Sequence, residues 1–215
     1  MNYLAHAFLG FDDAEWVAGQ LAGDFVKGRN LSAYPHAIRQ GIRMHRQLDA
    51  WADSHPIFRR SCQRLSPERR RVAGILVDLA YDHCLACQWS HYCHTDLLGY
   101  ADFVYQTLAM HAPNLPPTMQ TFIQRSAEIR LLERYQHPSA LARAIDVIDA
   151  RMSKRGLFAG ALDDVMQNLP ALSHDFAEFF PHAIRHMAGL APQPGSVRIY
   201  GDHNAVLPKT EVFLR

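Results

Sequence analysis

The sequence predicts an all-α protein with a single helical domain over residues 1–190 and an irregular tail over residues 191–215. Strand-like alternation bounded by turns is nearly absent before the tail. Apolar residues make up 48% of the 215 residues, which is enough for a core that needs no disulfides. No internal repeat is evident, so we expect one domain.

Short apolar segments predict the first two helices, over residues 3–10 and 12–25. A third helix is predicted over residues 36–53. Pro35 suits the first turn of this helix, and the residue before Pro56 should leave the helical region. We therefore expect a long helix that ends just before Pro56.

The tripeptide Ser66-Pro67-Glu68 combines a cap, a first-turn proline and a first-turn acid. It predicts a further long helix that starts there and continues to about Tyr92. Pro170 should break or kink the last long helix. Prolines and glycines after residue 191 predict a loosely docked extension. Other helices are predicted over residues 96–111, 139–154 and 162–180, with a loop over residues 114–117.

Composition excludes several classes of protein. No run reaches the roughly 18 apolar residues that a membrane span needs, and no secretory signal pattern opens the sequence, so we expect a cytoplasmic protein. The four cysteines do not suggest a disulfide framework, and we expect free thiols. The formal net charge of +1 argues against a general nucleic-acid-binding protein, which needs a large excess of Lys and Arg.

Two of the predicted helices each carry a histidine and carboxylates. His45 and Asp49 are four residues apart, which places them on one face of a helix. Asp78 and Asp82 repeat this spacing on the next long helix, and His83 follows Asp82 directly. The two helices could therefore supply ligands to a common site.

The surroundings of these residues favour a metal. Asp78 lies in an apolar helix, and a buried carboxylate must be paired or bound to a cation. Asp24 ends another apolar run, and His6 lies within a short apolar helix. Carboxylates with imidazoles suit manganese or iron, and the absence of thiolates from the set argues against structural zinc.

Such a site suits the cleavage of phosphate esters. A bound metal lowers the pKa of a water molecule and offsets charge on phosphoryl oxygens. Asp82 or Asp49 is the candidate acceptor of the water proton. Arg46 presents paired donors that match a phosphate, and an exposed helix arginine is the alternative interpretation.

Structural interpretations compete with these roles. One His–Asp pair at this spacing is more often a surface pair or a satisfied core histidine, whereas two pairs on separate helices favour function. Asp53, which extends the His45 row, and His6 could instead cap or orient their neighbours. The Cys84-x-x-Cys87 pair could indicate zinc, but it continues a helix and no second such pair exists.

Four ordered blocks within roughly the first 95 residues resemble the bacterial acyl carrier protein phosphodiesterase family. Their order and spacing make the resemblance specific. The blocks are Met1-Asn2-Tyr3-Leu4-Ala5-His6-Ala7, Gly23-Asp24-Phe25-Val26-Lys27-Gly28, residues 41–49 with Asp53-Ser54-His55-Pro56, and residues 70–83, which end in Tyr81-Asp82-His83.

The resemblance implies a helical fold distantly similar to the HD-type metal-dependent phosphohydrolases, with manganese as the metal. It implies hydrolysis of the phosphodiester of holo-acyl carrier protein, which releases 4′-phosphopantetheine and the apo-protein. Rival functions are an HD-like phosphohydrolase of a nucleotide and a non-catalytic carrier-protein binding module. The site residues that the resemblance implies are Asp24, His45, Asp49, Asp78, Asp82 and His83, with His6 as a weaker candidate.

One arginine-rich segment could bind the substrate that the resemblance implies, because acyl carrier proteins are small and acidic. The segment holds six arginines against a single acid, Glu68. The alternative interpretation is a solvated connection between helices. The arginines are Arg59, Arg60, Arg64, Arg69, Arg70 and Arg71.

Overall fold

The computed structural model describes residues 1–152 and 156–190, and ten α-helices account for most of this part of the chain. It contains no strand, which confirms the predicted all-α class. The predicted tail over residues 191–215 lies outside the described residues. The helices are α1 (Tyr3–Phe8), α2 (Ala14–Ala22), α3 (His36–Ser54), α4 (Pro56–Arg64), α5 (Ala73–Cys87), α6 (Leu97–His111), α7 (Gln120–Glu128), α8 (Leu131–Arg134), α9 (Pro138–Arg151) and α10 (Ala161–Leu190).

Side-chain caps start several of these helices. Asp13 and Asp96 accept hydrogen bonds from backbone amides in the first turns of α2 and α6, at 2.9 and 2.7 Å. His55 caps α4, and Pro56 occupies its first turn. Pro56 therefore both follows the end of α3, as predicted, and begins a helix that the sequence analysis missed. Helices α7 and α8 were also missed.

The predicted helix from Pro67 to about Tyr92 is wrong at both ends. Residues Pro67–Arg69 form a separate 3₁₀ turn, α5 begins only at Ala73, and a second 3₁₀ turn, Trp89–His91, follows its end. Ser66 does not cap a long helix, because its amide and hydroxyl both donate to the carboxylate of Asp164, at 2.9 and 2.7 Å. The serine that predicted a helix start is therefore hydrogen-bonded to a residue far along the chain.

Helix α10 continues through Pro170 and Pro181, so neither proline ends it. One face of the helix buries large apolar side chains, including Phe176 and Phe179, against α4 and α5. This burial stabilises the helical path more than the backbone hydrogen bonds that the prolines remove. None of the described helices is both long and apolar enough to cross a membrane.

Helices α2 and α3 pack with their backbones in contact. A methyl group on Gly19 would lie 2.3 Å from the carbonyl oxygen of Ile38, and one on Gly41 would lie 2.5 Å from that of Trp16. Only glycine permits this approach. The contact brings the end of α2 beside the middle of α3, where the predicted site residues lie.

A buried carboxylate joins α10 to α4. Asp175 is fully buried and accepts hydrogen bonds from Ser61 at 2.8 Å and from the side chains of Arg60 and Arg64, at 2.9 and 2.6 Å for their Nε atoms. Burial alone would raise the pKa of Asp175, but Arg64, Ser61 and Arg60 outweigh it and lower the pKa to about 2.

We expect replacement of Asp175 with Asn to lower the free energy of unfolding at pH 7 by about 3 kcal/mol, because Arg64 loses its carboxylate partner and Arg60 keeps only Glu178. The pKa of about 2 in the folded state lies below the unfolded value. The stabilisation by Asp175 is therefore fully present above about pH 4 and is lost as the pH falls towards the folded pKa. Urea denaturation at several pH values measures both effects.

The control variant is Asp102→Asn, because Asp102 also pairs with an arginine, Arg130, at 2.6 Å, but both side chains are about half exposed. Exposed pairs contribute little, and we expect a loss below about 1 kcal/mol. Equal losses in the two variants, or a loss for Asp175→Asn that does not change with pH, would contradict this account.

Candidate active site

The carboxylate of Asp49 joins two buried histidines from different helices. Its two oxygens lie 3.1 Å from His6 Nε2 and 3.1 Å from His45 Nε2. The two imidazole rings stack, with centroids 3.9 Å apart and an interplanar angle of 23°. Within residues 1–152 and 156–190, this is the one group of three or more His, Cys, Asp or Glu side chains whose ligand atoms lie within 4.8 Å of one another. It contains no cysteine.

Helix α1, which carries His6, is held in place by Asp82. A six-residue helix is too short to be stable alone, and Asn2 gives it no side-chain cap. Asp82 of α5 instead accepts the amides of Leu4 and Ala5, at 2.7 and 3.0 Å. Burial raises the pKa of Asp82 to about 7 although these amides favour its charged form. Asp82 therefore orients the helix that presents His6.

Gln20 of α2 orients the His6 ring. The Gln20 side chain is fully buried, and its nitrogen faces the carbonyl of Leu9, which leaves its oxygen 3.0 Å from His6 Nδ1. We infer that Nδ1 carries the ring hydrogen and that the Nε2 lone pair faces Asp49. Burial and the neighbouring His45 lower the pKa of His6, which favours this neutral form. A lone pair that faces a carboxylate oxygen is repelled by it, and a bound cation would relieve this repulsion.

His45 lies against the end of α2. A methyl group on Gly23 would lie 2.2 Å from the His45 ring, so glycine is required there. Its Nε2 also lies 3.4 Å from Asp24, in the 3₁₀ turn Gly23–Phe25. Burial lowers the pKa of His45, but Asp24 and Asp49 outweigh it and raise the pKa to about 9. The His6–His45–Asp49 group, called the centre below, therefore stabilises positive charge.

The two carboxylates beside His45, those of Asp49 and Asp24, stay ionised. Burial raises the pKa of Asp49, but the neighbouring His45 imidazole and the amine of Met1 contribute to a shift well below its usual range. Burial also raises the pKa of Asp24, but the imidazole of His45 outweighs it and lowers the pKa. By contrast, burial outweighs the other influences on Asp78 and raises its pKa.

A polar cleft opens beside this group. The α-amino group of Met1 lies 3.2 Å from Asp49 and 3.0 Å from Asp78. Burial would lower the pKa of this amine, but the two carboxylates raise it to about 11. The cleft concentrates negative charge. Its lining residues are Met1, Asn2, Asp24, Asp49, Asp53, Ile75, Asp78, Leu79 and Ile148.

The donor set of the centre fits a divalent first-row metal. Two imidazole nitrogens and carboxylate oxygens are the ligands that such metals accept. The 3.1 Å separations of His6 and His45 from Asp49 match the roughly 3.0 Å between neighbouring ligands of an octahedral ion at about 2.1 Å.

The structure gives Asp82 and His83 other contacts. The oxygens of Asp82 face the amides of α1, as described above. His83 Nδ1 lies 2.6 Å from the carbonyl oxygen of Tyr135, and its ring contacts the sulfur of Cys87. No described contact therefore joins Asp82 or His83 to the His6–His45–Asp49 group.

The predicted phosphate-binding Arg46 donates to the carbonyl oxygen of Val26 at 2.8 Å. Gln20 was missed by the sequence analysis. The available signal was a single amide side chain in the otherwise apolar run from Val17 to Ala22. A buried amide in such a run needs a specific partner.

The fold and the site define an all-α protein with a histidine–carboxylate centre of the kind that binds divalent metals. The chain belongs to the acyl carrier protein phosphodiesterase family, because the family model described as "Acyl carrier protein phosphodiesterase" matches residues 1–183. No solved structure matches the chain, and the distant likeness to HD-type enzymes stays a prediction.

Curated relatives with the same description cover most of the chain. It is 30% identical to a protein of Enterobacter sp. (strain 638), over 84% of this chain and 94% of the relative. It is 32% identical to one of Serratia proteamaculans and 31% identical to one of Yersinia pestis, each over 86% of this chain and 96% of the relative. The family model, over residues 1–183, includes His6, His45 and Asp49.

Replacement of Gln20 with Leu removes the acceptor for His6 Nδ1–H. We expect the affinity for Mn²⁺ to fall about tenfold, because an unoriented histidine is a poorer ligand. Calorimetric titration with Mn²⁺ measures the change.

Two variants control this experiment. Gln20→Glu keeps an acceptor and should retain most of the affinity, and Gln47→Leu alters an exposed glutamine on α3. The same affinity in Gln20→Leu and Gln47→Leu would show that Gln20 does not orient a ligand.

Proposed function

We propose that this protein is a metal-dependent phosphodiesterase that acts on holo-acyl carrier protein. Water cleaves the phosphodiester between a serine of the carrier and 4′-phosphopantetheine, and the products are the apo-protein and free 4′-phosphopantetheine. The observation that carries the proposal is the His6–His45–Asp49 group beside an acid-lined cleft, in a chain that matches the family over residues 1–183.

The metal of the proposal is Mn²⁺, held by His6 Nε2, His45 Nε2 and Asp49. When bound, such an ion supplies a water of lowered pKa and offsets charge on phosphoryl oxygens. The charge of the cleft supports a cation there. Four carboxylates line the cleft, and the amine of Met1 offsets only part of their charge, so a bound cation would reduce their repulsion of an anionic phosphodiester.

Asp24 is the proton acceptor of the proposal. Asp82 and Asp49 were the candidates from the sequence, but both oxygens of Asp82 accept amides of α1, and Asp49 lies between the two histidines. Asp24 is ionised, lines the cleft and exposes 56% of its side chain. It can therefore take a proton from an attacking water, and the serine oxygen leaves.

The apolar part of the cleft suits the rest of the substrate. Ile75, Leu79 and Ile148 line the same cleft as the acids and can contact the pantetheine chain next to the phosphate. We propose that the reaction takes place in the cytoplasm, where the carrier protein is, and that nucleic acid is not a substrate.

Two aspartate variants separate metal binding from proton transfer. Asp49→Asn weakens the contact that joins both histidines, and we expect loss of Mn²⁺ binding together with loss of turnover. Asp24→Asn should lower turnover about 100-fold while Mn²⁺ affinity changes little. Mass spectrometry of the carrier protein follows conversion of the holo-form to the apo-form, and calorimetry measures Mn²⁺.

Asp146→Asn is the control, because Asp146 is an exposed aspartate of α9 that does not line the cleft. It should match the wild type in both measurements. A holo-carrier mass that the wild-type protein leaves unchanged with every divalent metal tested would reject the proposed function. Full turnover by Asp49→Asn would reject the site.

A further inference from the structure

Three of the six arginines between residues 59 and 71 are engaged in contacts within the protein. Arg60 and Arg64 pair with the buried Asp175. Arg69 donates to the backbone carbonyl oxygens of Leu157, at 3.1 Å, and of Ala159. These three side chains hold α4 and the following turn to α10 and to the residues before it. Their guanidinium groups are therefore already engaged by carboxylates or carbonyl oxygens of the protein.

The other three, Arg59, Arg70 and Arg71, are exposed. In the described ranges, no carboxylate side chain forms an ion pair with any of them. Arg59 Nε donates to the backbone carbonyl oxygen of Asp53 at 3.1 Å, which anchors this arginine at the end of α3. Within the described residues, their positive charges are therefore not neutralised by an ion pair.

Arg59 and Arg70 line one groove, between α4 and the start of α5. Polar side chains of Cys62, Gln63 and Ser66 lie between them, and Leu65, Pro67 and Ala73 add apolar surface. We call this surface the basic groove. No carboxylate is among its lining residues, although Glu68 is exposed nearby in sequence.

The basic groove lies next to the acid-lined cleft. The carbonyl oxygen that accepts the hydrogen bond from Arg59 belongs to Asp53, which also lines the cleft. Cys62 of the groove is close enough to Asp78 and Asp53 that their charges, added to burial, raise the pKa of its thiol to about 11. The groove and the cleft therefore adjoin at Asp53.

We propose that the basic groove binds a carboxylate-rich surface of the carrier protein and thereby delivers the attached phosphodiester to the cleft. The inference rests on the proposed function, because it takes a protein as the substrate. Exposed guanidinium groups attract a negatively charged protein surface and hold it by charge-assisted hydrogen bonds. The acids of the cleft repel the same surface, so the charge pattern fixes the orientation of the partner.

Charge reversal tests the groove. In Arg59→Glu/Arg70→Glu, we expect the affinity for apo-carrier protein to fall at least about tenfold, because like charges then face each other. KM for holo-carrier protein should rise by a similar factor with little change in kcat. The loss should grow as the salt concentration falls. Fluorescence anisotropy of a labelled apo-carrier measures binding without turnover.

The control is Arg125→Glu/Arg185→Glu, which makes the same change in net charge at two exposed arginines of α7 and α10. It should bind the carrier as the wild type does, within about twofold. Hydrolysis of bis(p-nitrophenyl) phosphate, a small diester, should be the same in all three proteins, which also shows that the variants are folded.

The outcomes separate the two proposals. If the wild type converts holo-carrier and both double variants show equal affinity and KM, the basic groove is overturned while the proposed function stands. If the wild type binds apo-carrier through Arg59 and Arg70 but releases no 4′-phosphopantetheine with any metal, the groove stands and the proposed function fails. If the wild type neither binds nor converts the carrier, both are overturned.

Discussion

The carboxylate of Asp49 is the point on which the rest of the site depends. Its two oxygens contact histidines from different helices, and one of them also contacts the amine of Met1. Stacked rings 3.9 Å apart cannot both be positively charged without strong repulsion. The pKa values of the two rings accordingly shift in opposite directions. One carboxylate thus holds two unlike imidazoles around a position that favours positive charge.

Packing behind the centre supplies the precision that this arrangement needs. The α2–α3 contact at Gly19 and Gly41 brings the end of α2 against α3, and Gly23 leaves room for the ring of His45. Asp82 completes the hydrogen bonds of α1 from inside the core, and Gln20 sets the orientation of His6. These supporting residues contact the side chains of the His6–His45–Asp49 group or their helices, and they fix its geometry as hydrogen-bond partners of metal ligands do in metal sites.

Helical spacing was sufficient to predict which residues of the candidate site share a face of α3, and the expectations that the structure does not match share one cause. His45 and Asp49 lie on one face of α3 as their spacing requires, and Asp78 lines the same cleft. The same spacing could not reveal that the face of α5 with Asp82 meets the amides of α1, because that depends on which helix packs there. Ser66 likewise signals a helix start but bonds to Asp164, far along the chain. Periodicity defines faces, and tertiary contacts decide their partners.

A crystal grown with Mn²⁺ and measured at an X-ray energy above the manganese edge tests the central claim most directly. We expect an anomalous peak within bonding distance of His6 Nε2, His45 Nε2 and Asp49, at the mouth of the acid-lined cleft. A peak beside Asp82 and His83, or no peak near any of these residues at saturating Mn²⁺, would contradict the site described here.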